Sequence, residues 1–349
     1  MYDALAMADE LATSLSLRGA ATVAIAALLS ALLIVLLRPV LVRYALARPN
    51  VRSSHTAPTP QGGGIAVVAA TIGGFYAAAH FSPGVPLLSA SLLTTFAAVV
   101  LVAGVGAADD VRSIAVVPRL LLQALAVVLV IYALPDELRA APFLPWWTER
   151  VLLVVGGVWF VNLVNFMDGL DWMTVAEVVP VTAALALMGA FGALPPQGLG
   201  AALALGGAMF GFAYFNRPAA VLFLGDVGSL PIGLMLGWLL ILLAGRGHLA
   251  AAVLLPLYYL ADATITLGRR LIRGEPVWQA HRTHFYQRAT DGGFSVTEVV
   301  ARVFLGNVVL GALALVTVIA PSRLGNIIAL LLGAVLVAWL LVMFARGKK

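Results

Sequence analysis

The chain has 349 residues, of which 62% are hydrophobic and 11% are charged. Soluble domains usually carry about 25% charged residues, so most of this chain is expected to contact lipid and not water. Its lack of cysteine excludes disulfides, thiolate catalysis and Cys-based metal sites. The sequence therefore indicates a membrane protein whose chemistry depends on oxygen and nitrogen side chains.

Apolar runs of about 20 residues recur along the chain, and each is long enough to cross a bilayer as a helix. Acidic residues precede the first run, which is the wrong charge for a signal peptide, so this run is expected to be a retained span. We predict an all-α, polytopic protein, one domain over 1–349, with eleven spans near 19–37, 62–80, 87–106, 116–134, 150–164, 173–193, 199–214, 228–244, 249–267, 298–320 and 325–345.

The basic residues predict the orientation, because cytoplasmic loops carry an excess of Lys and Arg. Placing the loop after the first span in the cytoplasm assigns sixteen of the 21 Lys and Arg residues to that side and five to the other. The N-terminus is then outside and the C-terminus inside, and the net charge of +5 requires no nucleic-acid partner. The predicted cytoplasmic loops are 38–61, 107–116, 165–172, 215–227 and 268–297.

Four short motifs carry acidic or cationic side chains at the predicted cytoplasmic edge: AADDVRS, NFMDGLDWM, FLGDVGS and HRTHFYQR. Acidic residues are costly at membrane depth unless they are paired, solvated or bound to a metal. Carboxylates clustered on one face therefore indicate a bound cation. The side chains concerned are Asp109, Asp110, Asn165, Asp168, Asp171, Asp226, His281, Arg282, His284 and Arg288.

Oxygen ligands without cysteine favour a hard ion, Mg²⁺ or Mn²⁺, which typically shares its coordination shell with substrate phosphates. Nearby Arg and His side chains would supply the positive charge that phosphates need. This combination predicts phosphoryl transfer. The glycine run Gly62 to Gly64 opens a span, where it fits either phosphate binding by backbone N–H groups or close helix packing.

Several of these residues also have a purely structural interpretation. Asp226 and Asp171 could cap the helices that follow them, and Asp262 fits either a packing carboxylate or a groove for a lipid phosphate. The basic residues expected to anchor the topology by binding anionic headgroups are Arg269, Arg270 and Arg273.

An ion-coupled transporter is the alternative function, but it predicts charges near the bilayer midplane and repeated halves.

In their order along the chain, the motifs resemble those of the polyprenyl-phosphate N-acetylhexosamine-1-phosphate transferases. The resemblance runs from RSSHTAPTPQGGGIA through the DD pair, NFMDGLD and FLGDVGS to AHRTHFYQRA. The last motif is most similar to the branch that initiates O-antigen and related surface glycans. The resemblance implies a multi-pass enzyme of the bacterial inner membrane that transfers an N-acetylhexosamine-1-phosphate from a UDP-sugar to undecaprenyl phosphate and releases UMP.

The family's residue roles extend to the matching positions of this chain. The resemblance implies Mg²⁺ or Mn²⁺ at Asp226 and Asn165, and catalytic roles for Asp109, Asp110 and Asp168, with Asp109 favoured for deprotonating the lipid phosphate. Arg52 and His55 are expected to contact phosphate, because basic and acidic residues common in relatives are replaced in the first loop. The implied substrate-binding residues are Phe223, which would stack on uracil, Gly225, His281, Arg282, His284, Arg288, Arg52 and His55.

The donor sugar, the glycan pathway and the oligomeric state stay open at this point, although outward-facing helices are compatible with a homodimer. We favour direct displacement over a covalent aspartyl intermediate, because one membrane edge would gather both substrates.

Overall fold

The computed structural model describes residues 2–47, 58–80, 89–276 and 281–348. This part of the chain is helical except for a short antiparallel ribbon of β1 (Leu46–Ala47) and β2 (Thr59–Pro60). The all-α prediction is thus confirmed. The helices are α1 (Tyr2–Tyr44), α2 (Gly63–His80), α3 (Ala90–Val111), α4 (Val116–Tyr132), α5 (Trp146–Met167), α6 (Met173–Ala190), α7 (Pro196–Ala213), α8 (Asp226–Ala244), α9 (Leu249–Leu254), α10 (Leu257–Ile272), α11 (Phe285–Asp291), α12 (Val296–Ile319) and α13 (Arg323–Arg346).

The eleven apolar runs all coincide with helices in the part of the chain that the structure describes. Eight helices there are long and apolar enough to cross a membrane, namely α1, α2, α3, α5, α6, α8, α12 and α13. Helix α4 is equally apolar in character but has 17 residues. The protein is therefore a polytopic membrane protein, while the number of eleven spans and the orientation stay predictions.

The ninth apolar run, 249–267, is not one continuous helix. It is divided into α9 and α10 at Leu255 and Pro256. Proline lacks a backbone N–H and its ring clashes with the preceding helical turn, so an interior proline breaks or kinks a helix. The segment 249–267 therefore consists of two helices, and α10 continues to Ile272, inside the segment predicted as loop.

Helix α8 lies at the centre of the bundle and is buried along almost its whole length. Its first turn is approached closely by two neighbours, because glycines remove the side chains that would separate the backbones. A Cβ on Gly64 of α2 would overlap the backbone of Gly228, and a Cβ on Gly106 of α3 would overlap the carbonyl of Asp226. These contacts fix the N-terminus of α8 between α2 and α3.

The glycine run that opens α2 is tied to the loop before α8. The N–H of Gly63 donates to the carbonyl of Phe223 at 2.9 Å, and the N–H of Gly64 donates to the carbonyl of Leu224 at 2.9 Å. The N–H of Phe223 in turn donates to the carbonyl of Pro60 at 2.8 Å. Of the two interpretations of this run, the structure supports close helix packing, since these two N–H groups already have carbonyl partners.

Candidate functional site

Helix α8 begins at a carboxylate supplied by another helix. Asp110, in the last turn of α3, accepts hydrogen bonds from the N–H groups of Asp226 and Val227 at 3.0 and 3.1 Å. The preceding residue, Gly225, has φ +77°, and a Cβ there would lie 2.5 Å from Asp110 Oδ2. Asp110 thus acts as an N-cap from outside the helix, and it sets the position of the Asp226 side chain.

The structure brings Asp226 together with the asparagine of the NFMDGLD motif. Asn165, near the end of α5, donates through Nδ2 to Asp226 Oδ1 at 2.8 Å and to the Ser229 hydroxyl at 2.8 Å. The two motifs are far apart in the sequence and meet where α5 packs on α8. The pair predicted to hold the metal is therefore in direct contact.

Asp109 is paired with a residue to which the sequence analysis gave no role in the site. Asp109 Oδ2 lies 2.6 Å from Arg119 Nη1, and Oδ1 accepts from the N–H of Ile114 at 2.6 Å. The same Arg119 nitrogen is 3.9 Å from Asp226 Oδ2. A guanidinium group thus lies between two carboxylates, where negative charge requires compensation.

The donor set fits a hard divalent ion. Among the described residues no group of three His, Cys, Asp or Glu side chains forms a metal cage. Mg²⁺ commonly uses only one or two protein carboxylates and completes its shell with water and substrate phosphates, and Asp226 with Asn165 offers such a set. Asn165 directs Nδ2 at Asp226, so its amide would have to rotate to present Oδ1 to an ion.

Asp168 follows α5 directly and is held by a hydroxyl group. The Thr174 hydroxyl donates to Asp168 Oδ1, and the N–H of Asp168 donates to the carbonyl of Asn165 at 3.2 Å. The pKa of Asp168 is raised to about 7. Burial is the main cause, the charges of Asp110 and Asp171 add to it, and the hydrogen bond from Thr174 acts in the opposite direction.

Asp171 joins the NFMDGLD motif to the loop before α8. Its Oδ2 accepts from the N–H of Ala220 at 3.0 Å, while Asn216 Oδ1 accepts from the N–H of Trp172 at 2.8 Å. Trp172 has φ +63°, a left-handed conformation that is rare outside glycine. Asp171 therefore has a structural role: it holds the two loops together. Asn216 does the same, and the sequence analysis did not find it because it stands in no recognisable motif.

Asp262 is the hub of the cationic loop. This carboxylate of α10 is fully buried and accepts from His284 Nδ1 at 3.1 Å and from the N–H groups of Phe285 and Tyr286 at 3.0 and 3.2 Å. The hydroxyl of Tyr258 also donates to it, at 3.2 Å. Of its two interpretations the structure supports the packing carboxylate, with the added function of capping α11 and orienting His284.

Helix α11 rests on the end of α5. The hydroxyl of Tyr286 donates to the carbonyl of Phe166 at 3.0 Å, and Gly169 provides the room, because a Cβ there would overlap that hydroxyl. The His284 ring is stacked between its neighbours, 4.9 Å from the ring of His281 and 6.5 Å from the ring of Phe166. The histidine loop is thereby placed beside Asn165 and Asp168.

The remaining predicted residues divide into three groups. Arg282 forms an ion pair with Asp291 at 3.1 Å, and Arg288 lies over the ring of Phe285 at 5.9 Å, so both guanidinium groups are beside α11. Phe223 is half-buried in the loop before α8. The two first-loop residues, Arg52 and His55, lie outside the described residues.

Comparison with known proteins decides the family. A model of glycosyl transferase family 4 matches residues 92–244, which include the motifs of α3, α5 and α8. A phospho-N-acetylmuramoyl-pentapeptide-transferase of Synechococcus sp. (strain RCC307) is 32% identical over 293 residues, 74% of this chain and 76% of that protein. The chain belongs to glycosyl transferase family 4. Its resemblance to the polyprenyl-phosphate hexosamine-1-phosphate transferases is thus confirmed, and it is a multi-pass membrane enzyme of that family.

Two further relatives of the family match most of the chain. A probable undecaprenyl-phosphate N-acetylglucosaminyl 1-phosphate transferase of Bacillus subtilis (strain 168) is 24% identical over 288 residues, 78% of each chain. A decaprenyl-phosphate N-acetylglucosaminephosphotransferase of Mycobacterium tuberculosis (strain CDC 1551 / Oshkosh) is 27% identical over 332 residues, 84% of this chain and 80% of that protein. The family match argues against the transporter alternative and for a phosphotransferase.

Proposed function

We propose that this family 4 enzyme transfers an N-acetylhexosamine-1-phosphate from a UDP-sugar to undecaprenyl phosphate at the cytoplasmic face of a bacterial inner membrane. The products are UMP and a lipid diphosphate sugar, which begins the assembly of an O-antigen or related surface glycan. In chemical terms, an oxygen of the lipid phosphate attacks the sugar-bearing phosphorus of the donor. The new P–O bond forms as the bond to UMP breaks, and UMP leaves with the bridging oxygen.

One observation carries this proposal: three motifs from three helices converge at the N-terminus of α8. Asp226 of α8 contacts Asn165 of α5, and Arg119 links Asp226 to Asp109 of α3. Both reactants are anions, so their mutual repulsion is a main obstacle to reaction. A cluster of oxygen ligands beside a guanidinium group is suited to lowering that obstacle.

Asp226 and Asn165 are proposed to hold Mg²⁺ or Mn²⁺. When bound there, the ion would neutralise the donor diphosphate and stabilise the charge that develops on the leaving UMP oxygen. Asp110 contributes by fixing Asp226 through two backbone hydrogen bonds. Asp168, three residues beyond Asn165, is proposed to support the diphosphate and nucleoside side of the site.

The acceptor is proposed to approach from the side of Asp109 and Arg119. A phosphate monoester has a second pKa of about 6, so the lipid phosphate is largely ionised at neutral pH. A general base at Asp109 then needs to contribute only a factor of about 10² to 10⁴. Arg119 pairs with Asp109 and offers positive charge to the incoming phosphate, which favours direct displacement.

The cationic loop is proposed to bind the donor. Because Asp262 accepts from His284 Nδ1, the proton is favoured on Nδ1 and Nε2 is left to bind substrate. His281 and Arg282, on the same loop, are proposed to bind the diphosphate and the sugar. Phe223 is proposed to stack on the uracil. Arg288 we assign to a neighbouring cavity, since its guanidinium lies over Phe285 beside Arg269.

The test is release of UMP by the purified protein in detergent with undecaprenyl phosphate, Mg²⁺ and a panel of UDP-N-acetylhexosamines. We expect one or a few donors to support turnover, and the Asp226→Asn variant to lose it. The matched control is Asp136→Asn, which makes the same chemical change at an exposed position between α4 and α5. UMP release at the wild-type rate by Asp226→Asn contradicts the metal assignment, and no UMP release with any donor contradicts the proposed reaction.

A further inference from the structure

A cationic cavity borders the histidine loop and the end of α10. It has a volume of about 190 Å³, and its described lining includes four arginines and one carboxylate, that of Glu275. The arginines are Arg269, Arg270, Arg273 and Arg288. This lining carries a formal charge of +3, and like charges gathered around one space repel each other. An anionic occupant would remove that repulsion.

The guanidinium groups are positioned in advance of any ligand. Arg269 and Arg288 both lie over the ring of Phe285, at 5.6 and 5.9 Å from its centroid. Stacking on an aromatic face orients a guanidinium and leaves its N–H groups directed to the sides. The Phe285 backbone is itself fixed by Asp262. Two of the four arginines are therefore held at a defined distance from each other by the fold.

Arg270 provides the second observation that points to a ligand. Its side chain is 9% exposed, and its Nε has no hydrogen-bond partner although Glu275 Oε2 is 3.2 Å away. Nη2 donates to the carbonyl of Pro276 at 3.0 Å. The N–H of Nε is in an ion pair but not in a hydrogen bond, and a buried donor that lacks a hydrogen bond is costly. Glu275 is itself 39% exposed, so it compensates this charge only in part.

The surroundings of the cavity indicate a lipid. The two residues between Arg270 and Arg273, Leu271 and Ile272, are 68% and 87% exposed. Exposed apolar side chains next to basic ones at a helix end are typical of the membrane interface. The cavity, of about 190 Å³, has room for a phosphate group.

We propose that this cavity binds the phosphate group of a membrane lipid, at a site separate from the one where Asp226 and Asn165 lie. The acyl chains would extend over Leu271 and Ile272, and the headgroup would be held by the four guanidinium groups. Occupancy would brace the end of α10 against α11 through Phe285. The proposal does not depend on the donor or on a metal.

The test measures lipid binding by the full chain in nanodiscs of phosphatidylcholine with increasing phosphatidylglycerol, by native mass spectrometry and by the shift in Tm. The double variant Arg269→Gln/Arg273→Gln removes two charges at exposed positions of the cavity. Charge-assisted hydrogen bonds to phosphate are stronger than neutral ones, so we expect phosphatidylglycerol to bind at least about tenfold more weakly. The matched control, Arg302→Gln on α12, should bind it as the wild type does.

A second variant moves the affinity in the opposite direction. Glu275→Gln removes the carboxylate of the lining and raises its formal charge, so phosphatidylglycerol should bind more tightly. Equal binding by wild type, the double variant and Glu275→Gln would overturn the proposal. Stabilisation by inorganic phosphate with no response to phosphatidylglycerol would overturn the lipid assignment. Displacement of phosphatidylglycerol by undecaprenyl phosphate would support a site for lipid phosphate groups.

Discussion

The substitution Gly225→Ala tests whether the contact between Asp110 and the start of α8 positions the site. Gly225 has φ +77°, and an added Cβ would lie 2.5 Å from Asp110 Oδ2 and 3.2 Å from the backbone nitrogen of Gly62. Asp110 Oδ2 is the atom that accepts the hydrogen bond from Val227. The alanine methyl group therefore competes with a hydrogen bond that places Asp226.

The structure gives the size of the effect. The φ of +77° and ψ of 171° at Gly225 lie in a backbone region almost confined to glycine, where a residue with a Cβ costs about 1–3 kcal/mol. This cost lowers stability without unfolding a protein of ordinary stability. The carboxylate must also withdraw from 2.5 Å to the 3.4 Å at which ordinary contact begins. Misplacement of a catalytic group by about 1 Å can cost about 10²-fold in rate. We therefore expect kcat to fall by about two orders of magnitude, with a Tm lower by only a few degrees.

The assay is UMP release at saturating substrates, together with thermal unfolding of the purified protein. Gly104→Ala is the matched control, because Gly104 also lies near the end of α3 and a Cβ there meets nothing within 4 Å. Gly225→Ala with kcat equal to that of Gly104→Ala would refute the reasoning. A loss in Gly104→Ala as large as that in Gly225→Ala would show that the loss does not come from the contact with Asp110 and would also count against it.

Two other substitutions test the charges and the hub. Arg119→Gln should lower the Mg²⁺ concentration that gives half-maximal activity, because the guanidinium competes with the ion for Asp226; a higher requirement would contradict this. Asp262→Asn should reduce stability by about 1–3 kcal/mol by leaving buried donors without a charged acceptor. Asp262→Asn should also lower kcat to about the level of His284→Ala, and the double variant Asp262→Asn/His284→Ala should lose no more. Additive losses would show that Asp262 does not act through His284.

The sequence predicted the helices and the partners at the centre of the site. Asn165 and Asp226 were paired on the resemblance of their motifs, and the structure places them 2.8 Å apart. The apolar runs predicted where helices lie, because a backbone in lipid has to satisfy its hydrogen bonds internally. The break at Pro256 did not follow from the residue type alone, since Pro39, Pro180 and Pro231 lie inside unbroken helices.

The positioning residues could not be predicted in the same way. Arg119 counted only as one more basic residue at a cytoplasmic span end, since nothing in the spacing showed that the turn between α3 and α4 brings it to Asp109. Asp262 stayed undecided because its partners, at the start of α11, are separated from it by a loop. Both contacts join residues of different helices, and the residue pattern along one helix does not show which residue of another helix it will meet.

The central claim is that a divalent ion at Asp226 and Asn165 allows two anionic substrates to meet. It is tested most directly by the binding isotherm of Mn²⁺, measured by electron paramagnetic resonance on the purified wild-type protein and on Asp226→Asn and Asp136→Asn. We predict saturable binding by the wild type and by Asp136→Asn, and binding more than about tenfold weaker by Asp226→Asn, since even residues behind the ligands contribute 10–100-fold to metal affinity. A wild-type protein that binds no Mn²⁺, or an Asp226→Asn variant with the same isotherm as the wild type, would contradict the account.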